Sequence, residues 1–242
     1  MGWRPAAVIT LVLVGIALLR HRRAPGGQED GRGYIPALQF TWLTPLYDPL
    51  VALALPEEKI KTSLIEQAQI SRHDKVLDLG CGTATLTLMI KRRQPQAEVI
   101  GLDGDPKILE IARQKVAKEA VHIRFDQGLA SALPYPDGYF HRVVSSLVFH
   151  HLTQDGKGKA LKEVFRVLQN GGEVHIADFG PPQNRYARAA ALLLRHFEQV
   201  ADNLQGIIPG LMRRAGFEEV KETACFSTLF GTVSLYRGRK PR

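Results

Sequence analysis

From Val76 to Phe179 the chain repeats one alternation: a short apolar run, then a longer stretch whose apolar positions recur every three or four residues. The short runs are "VLDL" at 76–79, "AEVIGLD" at 97–103, "VHIRF" at 121–125, "RVVSSLVF" at 142–149 and "GEVHIADF" at 172–179. Their length and β-branched content predict strands covered on both faces. Helical spacing fills the gaps. It covers Ala84 to Arg92, then "DPKILEIARQKVAKEA" at 105–120, with Asp105 as N-cap and Pro106 at the first helical position, and then "GKALKEVFRVL" at 158–168. Strands that alternate with helices imply crossover connections and a parallel sheet. After the fifth run the rhythm changes. "GFEEVKETACF" at 216–226 and "TLFGTVSLYRGRK" at 228–240 are strand candidates with no helix between them, which predicts a closing antiparallel hairpin. The expected fold is α/β: a doubly wound, seven-stranded, mostly parallel sheet with a C-terminal antiparallel hairpin, preceded by an N-terminal hydrophobic helix.

That first helix is predicted from "MGWRPAAVITLVLVGIALLRHRR" at 1–23. The uncharged run from Pro5 to Leu19 spans about 22 Å as a helix, against roughly 30 Å of hydrocarbon. Trp3 at the interface and a snorkelling Arg4 bring the length close to sufficient. A secretory signal peptide and a peripheral helix compete with an uncleaved anchor. Arg20, His21, Arg22 and Arg23 follow at once with no small-residue cleavage site, which favours the anchor and keeps the rest of the chain in the cytoplasm. Residues 24–33, "APGGQEDGRG", read as a flexible linker, and 34–242 as one globular domain.

Composition narrows the partners. The chain has 242 residues, 45% of them hydrophobic, enough for a sizeable core, and its net charge of +8 suggests affinity for nucleic acid or an anionic membrane surface. The basic tail "RGRKPR" lacks an interleaved aromatic platform, so it reads as a solvated end or membrane contact, and no nucleic-acid partner is expected. Cys81 and Cys225 are far apart and share no C-x-x-C spacing, which argues against a disulfide framework or a metal site and suits a reducing compartment.

The candidate chemistry starts at "DLGCGTA", 78–84, on the exit of the first strand. Ligands of doubly wound sheets bind at the carboxyl ends of the strands, and Gly80 and Gly82 let one approach the main chain. A tight strand-to-helix turn explains the glycines equally simply. Asp103, at the end of the second strand, adds a carboxylate suited to ribose hydroxyls, and Asp78 adds one suited to a ligand ammonium. No lysine follows the glycines as a phosphate-binding loop requires, and Thr85 stands where a dinucleotide fingerprint has its third glycine. An acid beside the turn also repels a pyrophosphate. A cationic, phosphate-free ligand such as S-adenosylmethionine fits better.

At this point the chain resembles the class I S-adenosylmethionine-dependent methyltransferases, in the branch of the ubiquinone and menaquinone biosynthesis C-methyltransferases. The similarity runs from about Leu38 to Arg239 and rests on "VLDLGCGTA", "VIGLDGDPKILEIAR", "ALPYPDGYF", "VFHHL" and "VLQNGGEVHIADF", in that order. It implies a Rossmann-like methyltransferase domain in which Asp78, Gly80 and Gly82 line the methionine part of the cofactor. It also implies that Asp103 holds the ribose and that Tyr47, in "LYDPL", closes over the bound cofactor. Two positions depart from the family pattern. Leu129 stands where an acid usually bonds the adenine amino group, so that Leu129 is expected to pack on the ring, with Asp126 or Gln127 as substitute partners. His141 replaces an aspartate and reads as structural.

Methyl transfer mainly needs the acceptor in line with the methyl group, plus a base when the acceptor must lose a proton. His150 and His151, just past the fourth strand, are the base candidates, although one capping a helix and the other packing is the plainer reading. Tyr135 and Tyr139 read as structural. Apolar segments at 33–56 and 185–212, in which Leu192, Leu193, Phe197, Val200 and Leu204 share a helical face, would border the acceptor pocket. With the anchor they favour a small, lipophilic, quinone-like acceptor. A soluble metabolite, or a catalytically silent membrane protein that binds the cofactor, are the alternatives; a nicotinamide-dependent oxidoreductase is disfavoured by Thr85. The acceptor's identity and the oligomeric state are not legible.

Overall fold

The computed structural model describes residues 56–119, 121–183, 202–228 and 231–242. The expected anchor at 1–23, the linker at 24–33 and Tyr47 lie outside the described residues, as do Leu192, Leu193, Phe197 and Val200. Among the described residues no helix is long and apolar enough to cross a membrane.

The central apolar runs become strands buried on both sides, whereas the edge strands β3 and β6 stay largely exposed. β1 (Lys75–Leu79), β2 (Glu98–Asp103), β3 (Arg124–Gln127), β4 (Phe140–Ser146), β5 (Leu168–Gly180), β6 (Glu218–Thr228) and β7 (Gly231–Arg239) form one sheet in the order β3-β2-β1-β4-β5-β7-β6. The first five are parallel; β7 runs antiparallel to β5 and β6 antiparallel to β7. Strand order reverses between β1 and β4, which is where such sheets bind ligands.

The helices that cover this sheet are α1 (Glu57–Ala68), α2 (Thr85–Arg93), α3 (Pro106–Val116), α4 (Gln154–Val167) and α5 (Ile207–Arg214). Ile60 and Leu64 of α1 and Leu86 and Ile90 of α2 pack with Val76, Val144, Ala177 and Val233 on one face. Ala160, Leu161 and Val164 of α4 and Ile208 and Met212 of α5 pack with Leu77, Val143, Val174 and Ile176 on the other. Two dry layers on one sheet supply the dominant stabilising term.

Local chemistry sets most boundaries. The Asp105 side chain caps α3, accepting from Lys107 N at 2.8 Å with Pro106 in the first turn. α4 starts earlier than its apolar spacing suggests, because Thr153 accepts from Gly156 N at 3.1 Å and caps it there. β4 stops at Ser146, short of Phe149, because Leu147 adopts a left-handed φ of 58°. His141 is structural: its Nδ1 accepts from Lys75 N at 3.0 Å, at the sheet edge remote from the strand exits.

The basic tail is not the solvated end expected of it. Gly171 N donates to the carbonyls of Lys240 and Pro241, and Lys240 Nζ donates to Leu168 O at 2.7 Å and Arg166 O at 3.4 Å. Lys240 thus places a cation over the carbonyl end of α4, where the helix dipole favours one.

Candidate functional site

The turn after β1 is lashed to its neighbour: Gly80 N and Cys81 N both donate to Leu102 O of β2, at 2.8 and 3.0 Å. Its two glycines serve different needs. Gly80, at φ +70°, lies so close to Val148 that a Cβ would sit 2.4 Å from Val148 Cγ2. Packing alone requires a glycine there. Gly82, at φ +53°, would project a Cβ that meets nothing within 4 Å, so its main chain borders open space at the strand exits.

Asp103 sits where β2 ends. Its Oδ2 accepts from Gly82 N and its Oδ1 from Asp105 N, each at 3.0 Å, so the carboxylate joins the glycine turn to the start of α3. Burial pushes this carboxyl up, against those two bonds. The backbone carbonyl of Asp103 accepts from Gly128 N at 3.1 Å, which holds the chain leaving β3 beside it. Leu129 follows, half-buried and bridged to Ala132. Of its suggested substitutes, Asp126 is committed to Tyr135 Oη and Arg124 Nε, both at 3.0 Å, while Gln127 Nε2 reaches Gly104 O at 3.4 Å.

Asp78 is 1% exposed, and Thr87 Oγ1 of α2 donates to its Oδ2 at 2.6 Å. Burial raises its carboxyl from an ordinary 3.8 to about 6; the Thr87 bond and the charge of Lys61 oppose this, and the charge of Asp103 adds to it. Two carboxylates in one buried edge form a site that a cation relieves and a pyrophosphate would aggravate. These residues therefore fit the sulfonium and ammonium of S-adenosylmethionine.

The histidines stand on the adjoining strand exits. Leu147 N donates to Ala177 O of β5 at 2.8 Å, the chain turns Val148 onto Gly80, and a single 3₁₀ turn follows at Phe149–His151. His150 Nδ1 lies 3.0 Å from Asp178 Oδ1, and His150 N donates to Asp178 Oδ2 at 3.4 Å. Asp178 is wholly buried near the end of β5, where Phe179 N and Asn203 Nδ2 also donate to Oδ1, at 2.8 and 2.9 Å. Burial works against its charge, but His150 and the backbone donors outweigh it and hold the carboxyl below the ordinary range. A carboxylate can only accept, so the His150 Nδ1 that faces it carries a proton. His151, its ring centroid 3.9 Å from that of His150, is pushed down to about 4 by burial and by its neighbour's charge. It is a neutral imidazole at physiological pH.

Asp78, Gly80, Gly82, Asp103 and Leu129 are thus gathered at the exits of β1, β2 and β3, with both histidines beyond β4. Asp178, Asn203 and Thr87 were not anticipated. Asp178 did have a sequence signal, as the lone acid at the end of the apolar run "VHIADF".

Comparison with known proteins agrees with this geometry. Residues 76–172 match a family model described as a methyltransferase domain. The demethylmenaquinone methyltransferase of Thermus thermophilus is 36% identical over 174 residues, covering 71% of this chain and 77% of its own. That of Deinococcus radiodurans is 31% identical over 190 residues, covering 78% and 77%. Among solved structures, a S-adenosylmethionine-dependent methyltransferase from Methanosarcina mazei superposes with a TM-score of 0.60 at 20% identity, covering 73% of this chain and 97% of that one. The chain belongs to the class I S-adenosylmethionine-dependent methyltransferases and is similar to their ubiquinone and menaquinone biosynthesis branch.

Proposed function

We propose that this methyltransferase acts on a small, lipophilic, quinone-like acceptor, with His150 as general base and with residues 1–23 tethering it to the membrane. The observation that carries the base assignment is the His150–Asp178 pair at 3.0 Å, two residues beyond the Val148 that packs on the glycine turn. The cofactor supplies an electrophilic methyl group. For a ring carbon to accept it, a neighbouring hydroxyl must give up its proton so that electron density reaches the carbon. His150 Nε2 is placed to take that proton, with Asp178 holding the ring and facing the imidazolium that forms. His151, neutral and exposed, is assigned to shaping the acceptor side. Asp78 faces the ammonium and sulfonium end of the cofactor, Asp103 its ribose, and Leu129 its adenine face. Tyr47 closes over it. Support for the acceptor class comes from the relatives' names and from the apolar run at 5–19.

The test supplies methyl-labelled S-adenosylmethionine with a membrane lipid extract and, separately, with a short-tailed hydroxylated naphthalene ring. Label in the organic phase that disappears in His150→Ala, with cofactor affinity retained, is the expected result. Label confined to the aqueous fraction of a cell extract would instead identify a soluble metabolite as the acceptor. Cofactor binding with no label in either phase would overturn the enzymatic reading of the acceptor side.

A further inference from the structure

We propose that Asn203 is a positioning residue for His150, acting through Asp178, and that Lys157 holds it in place through the Asp202 carboxylate. The proposal rests on His150 serving as the base and adds residues that no sequence motif marks. Asn203 lies in the helical turn at 202–204, just before the 205–206 turn that leads into α5, and is 0% exposed, and its Nδ2 donates to Asp178 Oδ1 at 2.9 Å. That same oxygen faces His150 Nδ1 at 3.0 Å and accepts from Phe179 N at 2.8 Å. The orientation of the amide is not arbitrary, because a carboxylate only accepts and the amide nitrogen must face it. The amide oxygen is then left buried with no partner among the described residues. An orphaned buried carbonyl costs free energy that an apolar side chain of the same size would avoid. A residue chosen only to fill space would not be an asparagine.

The turn carrying Asn203 is itself fixed by charge. Lys157, in the second turn of α4 and 0% exposed, faces Asp202 Oδ2 at 3.7 Å. Burial lowers the ammonium's pKa, and the charges of Asp202 and Asp178 oppose that. α4 follows directly on the 3₁₀ turn that bears His150, so one helix start positions the imidazole from one side and the Asn203 turn from the other. Gly206, at φ +74°, closes the turn against Pro181, where a Cβ would stand 2.9 Å from Pro181 Cγ. Among the described residues, His150 faces Asp178 of β5 and His151 of its own turn. Tyr236 of β7 also feels Asp178, but burial keeps its phenol protonated. The Asp178 carboxylate is the charge that faces the imidazole, and Lys157 feels it as well as Asp202. Asn203 shares that charge by hydrogen bonding and fixes which oxygen meets Nδ1.

The experiment compares wild type with Asn203→Leu, which keeps volume and removes the donor, and with Asp202→Asn, which releases Lys157 from a partly exposed site should Asn203→Leu not fold. The tautomer of His150 is read without any acceptor, by nitrogen-15 NMR of histidine-labelled protein, and the pH profile of kcat/KM is recorded with the short-tailed hydroxylated naphthalene as methyl acceptor. Wild type should show the Nδ1–H tautomer alone. In either variant the Nε2–H tautomer should appear, kcat should fall about tenfold or more with cofactor affinity unchanged, and the acid limb of the profile should move to lower pH, because Asp178 is freed to turn from Nδ1 and the imidazolium loses its facing carboxylate. A single unchanged tautomer and an unmoved pH profile, with only a lower Tm, would make Asn203 structural and overturn the proposal. Full activity in His150→Ala would instead defeat the base reading on which it rests, so the two failures are told apart.

Discussion

Asp78→Asn should make the ligand-free protein more stable and a worse enzyme. The carboxyl is raised from 3.8 to about 6 chiefly by burial, so its ionised form is disfavoured in the folded state. A raised carboxyl contributes no penalty below the unfolded pKa, an increasing one as pH climbs through the folded pKa, and the full amount above it. The shift corresponds to roughly 3 kcal/mol at pH 7.5. Asparagine keeps an oxygen to accept from Thr87 Oγ1, now at 2.6 Å, but brings two N–H donors that need partners in a buried site. That need subtracts part of the gain, so Tm at pH 7.5 should rise by about 3–8 °C, with the advantage gone below pH 4. S-adenosylmethionine affinity should fall at least about tenfold, since a charge-assisted contact is lost in a dry site. In wild type the same affinity should weaken as pH drops through 6. Calorimetric scans and titrations at pH 4, 5.5 and 7.5 measure both effects. A variant less stable than wild type at pH 7.5, or one that binds the cofactor equally well, would refute the argument that this carboxylate is held at a cost for a cation.

Asp103→Ala should weaken cofactor binding by more than about tenfold, and because Gly82 N and Asp105 N lose their acceptor, hydrogen exchange at both amides should accelerate. Gly80→Ala should destabilise the fold far more than Gly82→Ala in denaturant titrations, since only the former drives a methyl into Val148, whereas Gly82→Ala should fold and lose cofactor affinity. Deleting residues 1–33 should leave a domain that binds S-adenosylmethionine but is released from membranes by high salt, while full-length protein stays in the pellet; release of both would show that the N-terminal segment does not span.

Much of this could be read in the chain because the information was local. The α3 cap needs only Asp105, Pro106 and the amide of Lys107, all within three positions. β1 and β2 are legible because a doubly buried strand must be apolar throughout. Sequence spacing gives no reading of α1 as a helix: "EEKIKTSLIEQA" mixes charges with a thin apolar seam and even buries Lys61, and packing against Val76, Val144 and Val233 decides it. Leu147 gives no warning of its left-handed turn, which is fixed by its bond to Ala177 O on a different strand. The site shows the same division. Asp78, Gly80, Gly82 and Asp103 lie at strand exits that periodicity locates. Of the partners that distinguish His150 from His151, Asp178 lies near the exit of β5, but its pairing with His150 is made across the sheet and Asn203 comes from a distant turn. No spacing rule predicts that meeting.

The position of β7 bears on how the molecule is made. β7 is synthesised after β6 yet lies between β6 and β5, pairing with Glu173 through Gly180 along nearly the whole of β5. While the chain grows on the ribosome, everything through α5 can assemble, but the β5 edge that bears Asp178 stays bare and β6 has no neighbour to join. An open, apolar edge on a half-finished sheet is a template for other chains. Chaperone demand should therefore concentrate in the interval before β7 emerges, and a stop codon before residue 231 should yield aggregate rather than a smaller working enzyme.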